Sequence, residues 1–472
     1  MTRTAGGAKG AHPYMANSLP SLKAAMLKEI GAPSIEALFA QIPRDHRVKG
    51  RLDLPDGIRS EAELRRHLLA LLRRNQTCEE TLSFLGAGIW QHHVPAICDE
   101  IGTRSEFLTS VWGTAMSDHG RNQAWFEFCS QLGELVGMEF VGLPVYSWGC
   151  AAGNALRMAA RMTGRREVLV PAWMCPERLA VIRQYCQPPE MEGHIAVVTV
   201  GHDRRTGRLD LADLKRKLSA RTAAVYFENP AYLGVIEADG AKIARMARAA
   251  GAETVVGVDP VSLGILAPPA DYGADIVVGT TQTLGAHMSA GGGAGGFIAS
   301  RDEERYAREY PTLNVSITGT TRPGEVGFGL TLFHQSSYGM RDQGKDWTGN
   351  SVYLTAIQNA VYMSLLGPEG FRELGELIVS RAHYAARAVG AIRGVSVRYP
   401  SGFFKEFVAD FSRTGKTVKA INKALLKRGI FGGKDLSAEV PGHAGCALFA
   451  VTEVHGQADI DRLATALKEI VR

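Results

Sequence analysis

The sequence predicts an α/β fold: a mostly parallel sheet with flanking helices, preceded by a helical N-terminal arm and followed by a small α+β domain. Three observations predict it. Short Val-rich apolar runs recur between residues 168 and 278 with helical stretches between them. The chain ahead of them shows helical periodicity only, and beyond a long helical stretch at about 352–390 short strands and helices mix.

Residues 1–20 read as a flexible tail and 21–120 as the helical arm, where Ala62–Leu72 sets apolar residues at helical spacing. Residues 121–365 form the large domain. Helices near 122–136 and 151–163 precede the runs Val168-Leu169-Val170, Ala196–Val200, Ala223–Phe227, Val255–Val258 and Ile276-Val277-Val278. These runs are continuous rather than alternating in polarity, as suits strands buried on both faces of a parallel sheet. Helical stretches at Pro176–Tyr185, Leu211–Leu218 and Ala241–Ala250 separate them, giving βαβ units. Residues 366–472 form the small domain, with strand-like runs at Val395–Tyr399, Glu406–Phe411 and Cys446–Thr452 and helices near 416–428 and 458–471.

Composition narrows the function classes. The 472 residues are 45% hydrophobic and 21% charged, with a formal net charge of +5, values ordinary for a globular protein. Basic residues are interleaved with acids, as in Arg301-Asp302-Glu303-Glu304-Arg305, which argues against nucleic acid as a partner. Seven cysteines, odd in number and never in Cys-x-x-Cys, point to a reducing compartment rather than to disulfides or zinc. The N-terminal segment has no apolar signal core, and no apolar run is long enough for a membrane span, so a cytoplasmic location is expected.

Tyr146-Ser147-Trp148-Gly149-Cys150-Ala151-Ala152-Gly153-Asn154-Ala155 sets small residues between an apolar turn and a helix start. Such a start offers open backbone N–H groups to a phosphate; the same residues also suit a tight turn with close helix packing. Asp259 follows a Val-rich run, at the strand end where α/β sheets place ligands. A carboxylate there can pair with a protonated pyridine nitrogen or simply cap a turn. Asn229-Pro230 ends another run and reads as a turn. His92, His93, His287 and His334 show no metal-ligand spacing with a third ligand, so no metal site is expected.

The last strand-like run ends in Gly279-Thr280-Thr281-Gln282-Thr283-Leu284-Gly285, followed by the glycine run 291–296. In an α/β enzyme that uses pyridoxal phosphate this position carries a lysine; here no lysine lies between Lys242 and Lys345. Lys345, flanked by Arg341, Asp342 and Asp346, reads as a solvated or phosphate-contacting loop residue rather than a desolvated Schiff-base amine. The residues alone leave two explanations open, a dead copy of an enzyme or half of a composite one.

Longer segments carry a family resemblance: Phe84-Leu85-Gly86-Ala87-Gly88 with His92 and Pro95, Arg104–Thr109, Asp259–Leu266, Tyr272–Gly279, Leu365–Gly370 and Val451-Thr452-Glu453. In this order they resemble the first subunit of the two-subunit P-protein of the glycine cleavage system, from about residue 21 to the C-terminus. The resemblance implies a fold-type-I pyridoxal-phosphate architecture in which the lysine and cofactor belong to a companion subunit. It implies a heterotetramer, two of each subunit, that decarboxylates glycine and passes the aminomethyl group to the lipoyl H-protein. Glu106, Thr109 and Trp112 are then expected to face the companion's channel. Gly149, Cys150, Ala151, Asn154 and Asp259 are expected to mark a degenerate cofactor pocket. Two segments depart from the family pattern, 110–116 and 334–350. They leave as alternatives a scaffolding or regulatory pseudo-enzyme, or a decarboxylase subunit diverged toward another amino acid.

Overall fold

The computed structural model describes residues 14–50, 52–107, 115–288, 294–346, 352–400 and 402–472. The chain divides into two units, Met1–Asn75 and Gln76–Arg472. The first contains helices α1 (Pro20–Glu29) and α2 (Glu61–Leu72). Proline opens α1, where its missing N–H costs no hydrogen bond. Ser60 caps α2 by accepting from the Glu63 N–H, with Glu61 and Glu63 at the positive end of the helix dipole. Neither helix buries a residue.

The second unit opens with β1 (Leu82–Ser83), α3 (Ala96–Gly102) and α4 (Ala115–Val136). Then come β2 (Phe140–Val141), α5 (Trp148–Thr163), β3 (Glu167–Pro171), α6 (Pro176–Tyr185) and β4 (Ala196–Val200). They are followed by α7 (Leu211–Lys217), β5 (Thr222–Glu228), α8 (Gly240–Ala249), β6 (Glu253–Val258), β7 (Ile276–Thr280) and β8 (Gly296–Ser300). The strands form one sheet in the order β2-β8-β7-β6-β5-β3-β4. Strands β4, β3, β5, β6 and β7 are parallel, and β8 and β2 close one edge antiparallel.

Successive residues along a strand point to opposite faces, and both faces are covered. Val256, Val258 and Val277 pack with Trp125, Phe128 and Leu132 of α4, whereas Val255, Ile276 and Val278 pack with Ala151, Ala155 and Ala159 of α5. Every residue of β5, β6, β7 and β8 is buried, which is why the runs lack polar alternation. The sequence reading marked β3 to β7 but not β8, whose apolar core Phe297-Ile298-Ala299 is too short to stand out beside the glycine run.

After α9 (Glu304–Ala307), β9 (Asn314–Gly319) and β10 (Val326–Thr331) make an antiparallel hairpin, and α10 (Ser337–Met340) follows. The long helix α11 (Tyr353–Gly390) is broken at Gly367, at φ 57° and ψ −177°, with Pro368 next. The C-terminal part of this second unit, the smaller layer expected as a small domain, comprises β11 (Ser396–Arg398), β12 (Glu406–Asp410), α12 (Val418–Leu426), β13 (Ile430–Phe431), β14 (Lys434–Asp435), β15 (Cys446–Ala450) and α13 (Gln457–Ile470). Its sheet runs β11-β12-β15-β14, all antiparallel. Strand β1 pairs in parallel with β13, Leu82 opposite Ile430, so the chain entering residues 84–93 is tied to the C-terminal layer. Among the described residues no helix is long and apolar enough to cross a membrane.

Candidate functional site

Strand β6 delivers Asp259 to the carboxyl end of the parallel sheet, where its carboxylate is 3% exposed. One oxygen, Oδ1, caps the turn Pro260–Gly264 by accepting from the Val261 N–H (3.3 Å) and also accepts from the Thr283 hydroxyl (3.0 Å). The other, Oδ2, faces Lys405 Nζ at 2.7 Å. Lys405 immediately precedes β12 and is likewise 3% exposed. Its ammonium lies 3.6 Å from the centre of the Trp90 ring and 3.0 Å from His92 Nε2. An ammonium only donates, so Nε2 accepts, and the ring proton sits on Nδ1, 2.8 Å from Glu453 Oε2. The His93 N–H donates to the other Glu453 oxygen (2.6 Å). Burial works to raise the Glu453 carboxyl, but His92 and the His93 N–H outweigh it and hold the group at about 2. The result is a buried polar line, Asp259–Lys405–His92–Glu453, joining the large sheet, the segment after β1 and the C-terminal layer.

The glycines of the Phe84–Gly88 segment explain how β12 reaches this position. Glu406, also buried, accepts from the Ala87 N–H at 2.6 Å, and burial raises its carboxyl. A Cβ on Gly86 would stand 2.4 Å from that carboxylate oxygen and 2.6 Å from Ala450 Cβ. Across the strand, Gly234 sits at φ +83°, and a Cβ there would come within 1.9 Å of the Glu406 carbonyl oxygen. The backbone can approach this closely only where both positions lack a side chain. The Phe84 carbonyl then accepts from the Ala450 N–H (2.9 Å), and the Phe84 ring stacks on His455.

The lysine-free segment after β7 is wholly engaged in holding the same groups. Thr280, Thr281, Gln282 and Thr283 are all buried. Gln282 grips the Trp90 backbone at both ends, Nε2 donating to its carbonyl (3.0 Å) and Oε1 accepting from its N–H (3.2 Å). Thr283 supports Asp259, and Asn359 of α11 donates to the carbonyls of Thr281 and Leu284.

The start of α5 is divided between two environments. Ser147 caps the helix by accepting from the Cys150 N–H (3.2 Å). Gly149 lies against α6, where a Cβ would be 3.0 Å from Val181 Cβ, and opens onto a cavity of about 400 Å³ with Thr280, Arg178 and Lys434. Ala151 is packed in the core. Cys150 and Asn154 turn elsewhere: Cys150 Sγ meets the Tyr185 hydroxyl at 2.9 Å, and Asn154 Nδ2 donates to Asp346 Oδ2 at 2.8 Å. Burial raises the Cys150 thiol, so it is not a thiolate nucleophile. Arg178 lies 3.7 Å above the Trp148 ring and pairs with Glu228 (2.6 Å), which also accepts from the Tyr226 hydroxyl (2.8 Å).

Of the residues singled out from sequence, the structure brings Asp259 and the α5 turn to one end of the sheet but separates Cys150 and Asn154 from Asp259. Glu106 is exposed in the turn Ser105–Phe107; Thr109, Trp112 and the segment 110–114 lie outside the described residues. Lys345 pairs with Glu309 (2.9 Å), a carboxylate that Arg161 also holds. Asn229 is absorbed in its turn, its Oδ1 accepting from the Glu237 N–H (3.0 Å). Among the described residues no cluster of His, Cys, Asp and Glu could hold a metal. Sequence reasoning missed Lys405. Its one signal is a Lys-Glu pair set between Phe404 and Phe407 in an otherwise apolar run.

These residues do not fit pyridoxal phosphate. The carboxylate that would face a ring nitrogen is taken by Lys405, no lysine lies between β7 and Lys345, and the cavity between Trp90, Trp148, Asp259 and Lys405 is about 20 Å³, room for one water.

The sheet order, the smaller antiparallel sheet and the carboxylate ending β6 define the class: a fold-type-I pyridoxal-phosphate-enzyme architecture. Within that class the chain belongs to the glycine cleavage system P-protein family, whose model matches residues 16–467. It is 36% identical over 461 residues to the probable glycine dehydrogenase (decarboxylating) subunit 1 of Pyrococcus horikoshii, covering 97% of this chain and 99% of that one. To the protein of the same name from Staphylothermus marinus it is 34% identical, covering 98% of each. The crystal structure of a glycine cleavage system glycine decarboxylase (P-protein) in inhibitor-bound form superposes with a TM-score of 0.84 at 33% identity, covering 98% of this chain and 100% of that one. A Burkholderia pseudomallei sphingosine-1-phosphate lyase shares the fold, with a TM-score of 0.65 at 16% identity over 91% of this chain and 94% of that one.

Proposed function

We propose that this chain is the lysine-free subunit of a heteromeric glycine decarboxylase, active with a companion subunit that carries the Schiff-base lysine. The observation that carries the reading is the Asp259–Lys405 pair, found in a P-protein family member whose segment after β7 has no lysine. Relatives named subunit 1 support a companion. In this reading the companion's pyridoxal phosphate supplies the electron sink for loss of carbon dioxide from glycine, and the lipoyl H-protein accepts the aminomethyl group. The assembly is a cytoplasmic heterotetramer, two of each subunit. Glu106, Thr109 and Trp112 line the approach to the companion's site, a role that the exposure of Glu106 suits. Of the expected pocket residues Gly149, Cys150, Ala151, Asn154 and Asp259, Gly149 and Asp259 are the remnant of a cofactor pocket, and Cys150, Ala151 and Asn154 serve the packing of α5.

The test is co-expression with the companion, followed by pull-down and by glycine–bicarbonate carbon exchange with lipoyl H-protein. The expected result is a stoichiometric complex that exchanges, with neither subunit exchanging alone. A chain that never co-purifies, or a complex in which borohydride fixes pyridoxal on a lysine of this chain, would overturn the proposal.

A further inference from the structure

Asp259 Oδ2 can serve one cation, and in this chain it already has one. We infer that Lys405 is a built-in occupant of the chain's own cofactor site: its ammonium stands where a pyridinium nitrogen would, and with Trp90 it fills the space a ring would need. The inference rests on the functional reading above, since it says how this subunit leaves the cofactor to its companion.

Lys405 is already engaged on three sides. An ammonium has three N–H donors, and Lys405 meets Asp259 at 2.7 Å, His92 at 3.0 Å and the Trp90 face at 3.6 Å. The contact with Asp259 is an ion pair by distance, the one to His92 a hydrogen bond, and the ring face lies against the remaining side of the ammonium. A protonated ring nitrogen and this ammonium would compete for the same buried oxygen. The space directly against Asp259 and Lys405, about 20 Å³, admits no ring there. The cavity of about 400 Å³ beside it borders Gly149 and Thr280 and is not lined by Asp259. The aldehyde carbon lies across the ring from the nitrogen, so an amine at Asp259 marks the nitrogen's place and is misplaced for a Schiff base. The surroundings hold it there, because Gln282 clamps Trp90 and Glu453 fixes the His92 tautomer.

The experiment uses the full chain without companion and the probe pyridoxine 5′-phosphate, which lacks the aldehyde and cannot react with surface lysines. Binding is read by equilibrium dialysis and by quenching of tryptophan fluorescence. Wild type is expected to show no saturable binding, Lys405→Ala to bind one equivalent, and Lys405→Ala/Asp259→Ala to bind at least about tenfold more weakly than the single variant, the loss of one charged contact. A second measurement needs no variant: under reductive methylation of wild type, Lys405 is expected to react more than about tenfold more slowly than exposed Lys215. One equivalent of probe bound to wild type, a folded Lys405→Ala that binds none, or Lys405 methylated as fast as Lys215 would each overturn the inference. None of these readouts uses glycine, the H-protein or the companion, so failure here is separate from failure of the decarboxylase reading.

Discussion

Lys405 and Asp259 leave water together, and each is tolerable there only because of the other. Asp259→Ala leaves an ammonium buried beside an aromatic face and is expected to lower stability by about 3–5 kcal/mol. The double variant Lys405→Met/Asp259→Ala, which removes both charges, is expected to recover the part of that loss due to the unpaired ammonium. Denaturant unfolding of the two singles and the double measures the coupling, and simply additive losses would show that the pair does not act as a unit. Glu453 makes a pH-dependent contribution. Its carboxyl titrates at about 2 when folded, and an unfolded glutamate does so near 4.3, a difference worth roughly 3 kcal/mol at neutral pH. Because the folded value is the lower one, this stability is present above about pH 4.3 and is lost as pH falls toward 2. The stability gap between wild type and Glu453→Gln should therefore shrink between about pH 6 and about pH 3. A gap constant over that range would show that Glu453 is not held ionised by His92.

Elements carry a different kind of constraint, in which single glycines decide whether strands and helices meet. Gly86→Ala would drive a methyl into Glu406 and Ala450, and a cost of about 2–3 kcal/mol is expected from the clash. Soluble expression and thermal unfolding would read it, and an unchanged melting temperature would mean that β12 does not need this approach. Gly367 poses the opposite case, since a Cβ there meets nothing within 4 Å, yet the backbone adopts φ 57° and ψ −177°. Gly367→Ala is expected to cost about 1–3 kcal/mol through backbone conformation alone. Equal stability by denaturant unfolding would show that α11 can straighten. At this scale the sequence was legible where burial is uniform along a segment: the Val-rich runs mark β5 to β7 because both faces of each strand are covered, and the half-buried edge strand β4 was found by its run of valines alone. It was not legible for the β9–β10 hairpin, whose strands mix Gly, Ser and Thr with apolar residues and follow no single period.

For the whole molecule, the two units differ in what holds them. Helices α1 and α2 bury nothing, and Leu22, Met26, Ile30, Leu64, Leu68 and Leu72 are exposed. A helix with no buried face draws little stability from packing. Limited proteolysis of the free chain is expected to cut within residues 14–75 first and to leave 76–472 intact, as mass spectrometry of the fragments would show. Early cleavage within α4 or β5 to β7 would contradict that order. Taken as a whole, the sequence by itself determined the layered α/β fold, the lack of any lysine between Lys242 and Lys345 and the resemblance to the P-protein family. All of these follow from local periodicity and from residues adjacent in the chain. Only the tertiary structure decided what became of the site. Residues after β1, after β6, before β12 and after β15 are distant in sequence, and it is packing of the C-terminal layer against the sheet end that brings Trp90 and His92, Asp259, Lys405 and Glu453 together. A buried charge has no periodicity to read; its partner is chosen by the cost of leaving it unpaired in a space that only the fold creates.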